Sequence, residues 1–305
     1  MAISSIKNNT SGRKTILSNS SLTVADRGIF GPNTLGSNYT YEYVQISSTG
    51  NAVIFGELGV TTRTHQGVAS ATRVVFGGGT TENTINYFTA ASLGKGKSFG
   101  TLSVGRTSLA GAGSATRGIW AGGIPGSGFS NVIDYITIAS VGNATDFGDL
   151  TVSRSQVGGA GSSTRSIFFG GEGPSALSTI DYVTIATTGN ATNFGNLTSA
   201  RSDLYSAVSS STRAVHSAGY SNQQTMGYVT IASAGNATNF GDYPTTYAVF
   251  GISNKTRGIF GGGIASTTMQ YITIATTGNS TSFGTYASGA GYTIAAGSCS
   301  HGGIE

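Results

Sequence analysis

Short apolar runs alternate with glycine-rich and polar stretches along the whole chain, and this alternation repeats. A Thr-Arg or Asp-Arg pair followed by a short, mostly apolar run recurs six times. Successive arginines of these pairs are 46, 44, 48, 48 and 44 residues apart, at Arg27, Arg73, Arg117, Arg165, Arg213 and Arg257. A period of this length is typical of one supersecondary unit repeated in an array or a ring.

A second pattern runs at a fixed phase to the first. Every unit carries a Tyr and, twelve residues later, a Phe-Gly pair: Tyr43 and Phe55, Tyr87 and Phe99, Tyr135 and Phe147, Tyr182 and Phe194, Tyr228 and Phe240, Tyr271 and Phe283. Between the two aromatics, five units have Gly-Asn and the other has Gly94-Lys95. Gly-Asn supplies the positive φ angles that a tight hairpin needs, so we expect a turn at this pair.

Each unit is predicted to contain four strands, named a to d in the order of their phases. Strand a is a stretch of small residues such as SQVGGAGSS, strand b follows the Thr-Arg pair, strand c begins near the Tyr, and strand d ends near Phe-Gly. Strands b and c are rich in β-branched and aromatic residues, and both of their faces are apolar or small, which suits sheets packed on each side. Six four-stranded sheets predict an all-β, six-bladed β-propeller.

These residues resemble the kelch repeat. The likeness rests on the Gly-Gly that ends strand b, the Tyr, the aromatic beyond a hairpin, and an Arg before the next strand a (Arg63, Arg106, Arg154 and Arg201). The chain departs from the kelch pattern in having Phe for the usual Trp, a longer Tyr-to-aromatic spacing, and no Gly-Gly in the first and fifth units. The resemblance covers residues 26–305 and implies the propeller; it implies little about function, since propellers host many activities.

A nearer likeness is to the Gly/Thr-rich, kelch-like repeats of structural proteins in tailed bacteriophages, especially those of marine cyanobacteria. The run DYITIASVGNATDFGDLTVSR carries this resemblance. It implies a non-enzymatic virion protein, either a capsid decoration or a tail-associated component, used for particle assembly or host-surface contact. A carbohydrate-binding, lectin-like module is the alternative, and an enzyme that uses the ring mouth is a third hypothesis.

The two ends of the repeat array predict how the ring closes. The C-terminal stretch GYTIAAGS falls in phase with strand a, whereas the first unit begins almost at strand b. We therefore expect the C-terminal strand to complete the first blade and pair both open edges. A strand a formed by residues 14–23 is the alternative.

Composition narrows the possible classes of protein. Charged residues make up only 9% of the chain, 48 residues are Gly, and the single cysteine, Cys299, excludes an intrachain disulfide framework. No apolar run near the N-terminus is long enough for a signal peptide, and no window approaches a membrane span. We expect synthesis in the host cytoplasm without export, followed by incorporation into the virion.

The net charge of +4 does not predict nucleic-acid binding, because ten of the eleven arginines sit at the two repeat phases. A nucleic-acid surface would instead cluster basic residues on one face. The phased carboxylates, such as Asp134 and Asp181, are likewise interpreted as scaffold. The histidines, His65, His216 and His301, fall at different phases and do not predict a metal site. No cofactor is expected, and the Asn-Ala-Thr sequons are attributed to turn chemistry.

The b–c connections differ most among the units, and loops on a rigid scaffold commonly carry binding sites. Their candidate binding residues are Asn33, Asn38, Thr81, Asn83, Ser127, Ser130, Ser175, Ser178, Asn222, Gln223, Gln224 and Ser266. Their polar, weakly charged character suits polysaccharide or protein contacts. Residues 1–25 lie outside the repeat and are predicted to be an arm that binds other capsid or tail proteins.

Overall fold

The computed structural model describes residues 26–32, 40–58, 64–79, 83–219, 223–244, 249–262, 266–287 and 296–298. The first twelve strands are β1 (Arg27–Phe30), β2 (Thr40–Gln45), β3 (Val53–Glu57), β4 (Gln66–Ala69), β5 (Arg73–Gly77), β6 (Thr84–Thr89), β7 (Lys97–Thr101), β8 (Ala110–Gly113), β9 (Arg117–Ala121), β10 (Val132–Thr137), β11 (Thr145–Asp149) and β12 (Gly158–Gly161). The other strands are β13 (Arg165–Phe169), β14 (Leu177–Thr184), β15 (Thr192–Arg201), β16 (Ala207–Ser209), β17 (Arg213–His216), β18 (Thr225–Thr230), β19 (Thr238–Asp242), β20 (Phe250–Ser253), β21 (Arg257–Gly261), β22 (Thr268–Thr273), β23 (Thr281–Thr285) and β24 (Ala296–Ser298).

These strands form six antiparallel four-stranded sheets, which are the blades of a six-bladed β-propeller. From the axis outward, the blades are β24-β1-β2-β3, β4-β5-β6-β7, β8-β9-β10-β11, β12-β13-β14-β15, β16-β17-β18-β19 and β20-β21-β22-β23. The predicted fold and the order of strands a to d are confirmed. Strand c, however, begins at least three residues before its Tyr, as β10 does at Val132, and ends at Thr137 rather than at Ala139. Because neighbouring strands are antiparallel, the b–c loops and d–a connections share one side of the ring, here called the loop face. The a–b turns and c–d hairpins share the opposite hairpin face.

The ring is closed by its C-terminal strand, as predicted. β24 pairs with β1 through Gly28 and Ser298, Ile29 and Gly297, and Phe30 and Ala296. It thereby takes the inner position of the first blade, to which the rest of the described chain contributes three strands. The alternative segment, residues 14–23, lies outside the described residues.

The hydrophobic core is divided among the six junctions between neighbouring blades. The aromatic residue of strand b lies in these junctions: Trp120 and Phe168 are fully buried. Both faces of strands b and c therefore need apolar residues, which explains why these strands read as nearly continuous apolar runs.

Small residues on the inner strands let the blades meet at the axis. A Cβ added to Gly159 would lie 2.4 Å from the carbonyl oxygen of Gly111, and one added to Gly111 would lie 2.7 Å from that of Gly67. The cavity left along the axis has a volume of only about 50 Å³. The ring is thus packed through its centre by backbone-to-backbone contact, and larger side chains at these positions would push the blades apart.

The Gly-Asn pairs do not form the predicted tight turns. The turn precedes them, as in the fourth blade, where the N–H of Thr187 donates to the carbonyl of Thr184 at 3.3 Å. No Asn of the described residues has a positive φ. Instead, the hairpin reaches the previous blade: the N–H of Gly189 donates to Phe147 O at 2.7 Å, and Asn190 Oδ1 accepts a bond from Asp149 N–H at 3.0 Å. The Gly-Asn pair is therefore an inter-blade contact.

Candidate functional site

The six arginines that begin strand b connect each blade to the next on the hairpin face. Each guanidinium lies over the Tyr ring of its own blade, 4.2 to 5.0 Å from the ring centre. Each also donates to a carbonyl of the following blade, as Arg73 does to Ile138 O at 2.9 Å. The ring closes in the same way, because Arg257 donates to Ile46 O at 3.0 Å. The phased aromatics pack edge to face: the ring centres of Tyr135 and Phe147 are 5.7 Å apart, and those of Tyr182 and Phe194 5.8 Å.

A second set of arginines lies buried below the loop face. Arg106 pairs with Asp134 at 2.6 Å and Arg154 with Asp181 at 3.0 Å, and all four side chains are fully buried. Arg201, at the end of β15, donates instead to Thr225 O of the fifth blade and to Ser199 Oγ. It has no carboxylate partner among the described residues. These ion pairs join a d–a connection to strand c of the blade that follows it, so the phased carboxylates Asp134 and Asp181 act as scaffold.

Two histidines break the repeat, and both are buried. His216 takes the strand-b position that is Phe or Trp in the other blades, and its Nδ1 lies 2.8 Å from Ser217 O. Gly227, opposite it, leaves room for the imidazole, since a Cβ there would lie 2.4 Å from His216 Nε2. The Tyr41 hydroxyl contacts Nε2 of His65. Burial lowers the pKa of each histidine to about 3, so both are neutral near pH 7.

The predicted binding residues of the b–c loops fall into two groups on the loop face. Asn83, Ser127 and Ser175 are exposed, on the second, third and fourth blades. The others make local contacts: Ser130 is buried with its Oγ accepting from Val132 N–H, and hydrogen bonds within the chain also engage Ser178, Gln223, Gln224 and Ser266. Asn33, Asn38, Thr81 and Asn222 lie outside the described residues, as do residues 1–25, Cys299 and His301.

Tyr205 lies across the mouth of the ring on the loop face, and sequence reasoning missed it. Arg201 lies 12 residues before the strand-b arginine that follows it, whereas Arg106 and Arg154 each lie 11 residues before theirs. Tyr205 lies in this longer segment. Its carbonyl accepts a hydrogen bond from Gln66 Nε2 of the opposite blade at 2.6 Å. Its ring stacks on that of Phe250, with the ring centres 5.5 Å apart. Tyr205 thus links the connection that leads into the fifth blade to the second and sixth blades.

Polar groups from three blades surround the Tyr205 hydroxyl. Burial, together with the charge of Asp203, raises the pKa of Tyr205 to about 12, whereas the nearby side chains of Ser108 and Gln156 act in the opposite direction. Burial and the nearby charge of Glu172 raise the pKa of Asp203. Ser108, Gln156 and Asp203 all have φ near 54°, a left-handed conformation that holds the connections around the mouth in one geometry. The mouth of the ring on the loop face therefore presents hydroxyl, amide and carboxylate oxygens from connections of fixed geometry.

The described residues contain no group of three or more His, Cys, Asp or Glu side chains placed to hold a metal ion. No helix long and apolar enough to span a membrane occurs in the described part of the chain. The sequence matches no model of a known protein family and no curated protein, so the functional argument rests on the propeller and on the placement of its side chains.

Proposed function

We propose that this chain is a bacteriophage virion structural protein, a capsid decoration or a tail-associated component, that displays its propeller for particle assembly or host-surface contact. One observation carries the proposal: the repeated Arg, Tyr and Asn side chains hold the ring together, whereas the b–c connections, which differ most among the blades, present exposed polar side chains on the loop face. The resemblance to the kelch-like, Gly/Thr-rich repeats of phage structural proteins is the reason for placing this propeller in a virion.

The position of the first described residue supports an anchoring role for residues 1–25. The carbonyl of Asp26 accepts a hydrogen bond from Ile46 N–H at 3.0 Å, and its carboxylate accepts one from Ser47 N–H. Ile46 and Ser47 belong to a c–d hairpin, so the chain enters the ring on the hairpin face. An arm bound to capsid or tail proteins from this side would leave the loop face pointing away from the particle.

Localisation in purified particles tests the proposal. We expect mass spectrometry to find the chain in particles, and electron cryo-microscopy to show six-bladed rings with the hairpin face toward the particle. Residues 1–25 should meet a capsid or tail protein. Absence of the chain from particles that carry its gene would refute the virion role.

A lectin-like module is the second candidate, favoured by the exposed, uncharged side chains of Asn83, Ser127 and Ser175 on adjacent blades. Neutral hydroxyl and amide groups on a rigid scaffold suit hydrogen bonding to glycans. Binding on a glycan array that is lost when these residues are changed together to Ala would support this function. If no binding on the glycan array depends on these loop residues, the display role is the better explanation of the loop face.

A further inference from the structure

A second concave site lies on the hairpin face, away from the b–c loops. It is a pocket of about 210 Å³ at the junction of the second and third blades, here called the rim pocket. Phe99 and the c–d hairpin of the third blade line it, with Tyr135, Thr137, Ser140, Val141 and Asn143.

The rim pocket has an apolar side of fixed geometry. Phe99 is buried and lies on the second blade, while Gly142 N–H donates to its carbonyl at 2.9 Å and so holds the hairpin against it. One position before Gly142, Val141 is 57% exposed. The Tyr135 ring cannot turn freely, because Arg117 lies over it at 4.5 Å and Phe147 meets it edge to face.

The remaining lining groups are neutral hydrogen-bonding groups that are open to solvent. Thr137, Ser140 and Thr145 are exposed, and each offers a hydroxyl. Asn143 Oδ1 accepts a bond from Thr101 N–H at 3.1 Å, so the carboxamide is held in one orientation and its N–H₂ group is left for another partner. No charged side chain lines the pocket.

We propose that the rim pocket binds one neutral pyranose unit of a polysaccharide. A sugar ring has C–H groups that pack on aliphatic and aromatic surface, and hydroxyls that exchange bonds with the Thr, Ser and Asn side chains. The absence of lining charge disfavours anionic sugars and charged peptides. This inference stands apart from the proposed virion role, in which the hairpin face points toward the particle, because the binding is a property of the chain itself.

The repeat supplies matched positions for a test. The residue before the hairpin Gly is Val141 in the third blade but Thr49, Thr188 and Thr277 in three others. Leu93 holds the place in the second blade, where Lys95 stands in the position of Asn143. The third blade alone combines a β-branched apolar residue with the Asn. Val141→Thr therefore changes the apolar wall to a residue that the same hairpin accepts elsewhere in the ring.

The experiment is a methyl-detected NMR titration of the full chain with the methyl pyranosides of glucose, galactose, mannose and N-acetylglucosamine. A single shallow site should bind in the millimolar range, so titration to about 50 mM approaches saturation. At least one sugar should shift the Val141 methyls, and Val141→Thr should weaken its binding by about fivefold or more. The control variant Ser175→Ala, on the loop face, should bind like the parent chain.

Three results would each overturn the proposal that the rim pocket binds a sugar. They are shifts confined to the loop face, equal binding by Val141→Thr and the parent chain, and no shift with any of the four sugars. Finding the chain outside particles would refute the virion role but leave the titration unaffected. The two proposals therefore fail separately.

Discussion

The N–H of Thr285, in the last blade, donates a hydrogen bond to Oδ1 of Asn51, in the first blade, at 3.1 Å. The same contact recurs at four other junctions, at distances of 2.9 to 3.1 Å: Thr101 with Asn143, Asp149 with Asn190, Asn196 with Asn236 and Asp242 with Asn279. The Asn of each Gly-Asn pair thus holds its hairpin to the preceding blade.

Replacement of Asn51 by Ala should lower the free energy of unfolding by about 0.5–1.5 kcal/mol, because the Thr285 N–H loses its partner. Asn51→Asp keeps an acceptor oxygen at the same place and should cost less. Urea unfolding monitored by Trp120 fluorescence measures both. Equal losses for the two variants would show that the contact contributes nothing specific.

The second blade allows the converse experiment, because Lys95 stands where the other hairpins have Asn. Glu57 occupies the position in the first blade that Thr285 occupies in the last. Lys95→Asn should stabilise the chain by about 0.5–1 kcal/mol, because the new carboxamide oxygen can accept a bond from the Glu57 N–H, as Asn51 does from Thr285. Lys95→Gln, which is too long for this geometry, is the control. An unfolding midpoint for Lys95→Asn at or below that of Lys95→Gln would contradict the prediction.

The fold could be predicted from the sequence because every blade repeats the same phases, and six copies of one pattern leave little doubt about register. The role of Asn190 could not, because its partner, Asp149, is 41 residues away and belongs to the preceding blade. A Gly-Asn pair has the same local chemistry whether it forms a turn or a contact between blades.

The mouth residues show a different limit. The additional residue before β16 is visible as a change of spacing, but only the ring geometry brings Tyr205 to Gln66 of the opposite blade. The rim pocket was missed because it lies at a junction of two repeats. Its apolar wall is Val141, where three other blades have Thr. From the repeat pattern alone, this difference has no evident consequence.

Removal of β24 should unfold the ring cooperatively. Deletion of residues 296–305 exposes the edge of β1 and removes the inner strand that packs between β4 and β20, so we expect a loss of more than about 4 kcal/mol. Deletion of residues 299–305 keeps β24 and is the matched control. Equal thermal midpoints for the two truncated chains would rule out a closing role for this strand.

The buried pair of Arg154 and Asp181 should be sensitive to loss of either partner. Asp181→Asn leaves a buried guanidinium without its counter-charge, and removing one member of such a pair costs about 3–5 kcal/mol. The double variant Arg154→Met, Asp181→Leu should lose less than Asp181→Asn alone, because no buried charge is left. Arg201→Met, at the matching position without a carboxylate, should lose less as well. A double variant less stable than Asp181→Asn would contradict this account.

The buried histidines should make the ring less stable in mild acid. The pKa of His65 and of His216 is about 3 in the folded chain, against about 6.5 when unfolded, so the unfolded state binds more protons between these values. Their contribution to stability is therefore fully present above about pH 6.5 and is lost as the pH falls toward 3.

His216→Phe restores the aromatic residue of the sister blades and removes one of these titrations. Between about pH 4 and 6, the free energy of unfolding should fall less steeply with decreasing pH for the variant than for the parent chain. The two slopes should differ by about 1.4 kcal/mol per pH unit. Urea unfolding of both chains at several pH values measures the two slopes, and the carboxylates common to both cancel in their difference. Parallel curves would mean that His216 is not held neutral in the folded ring.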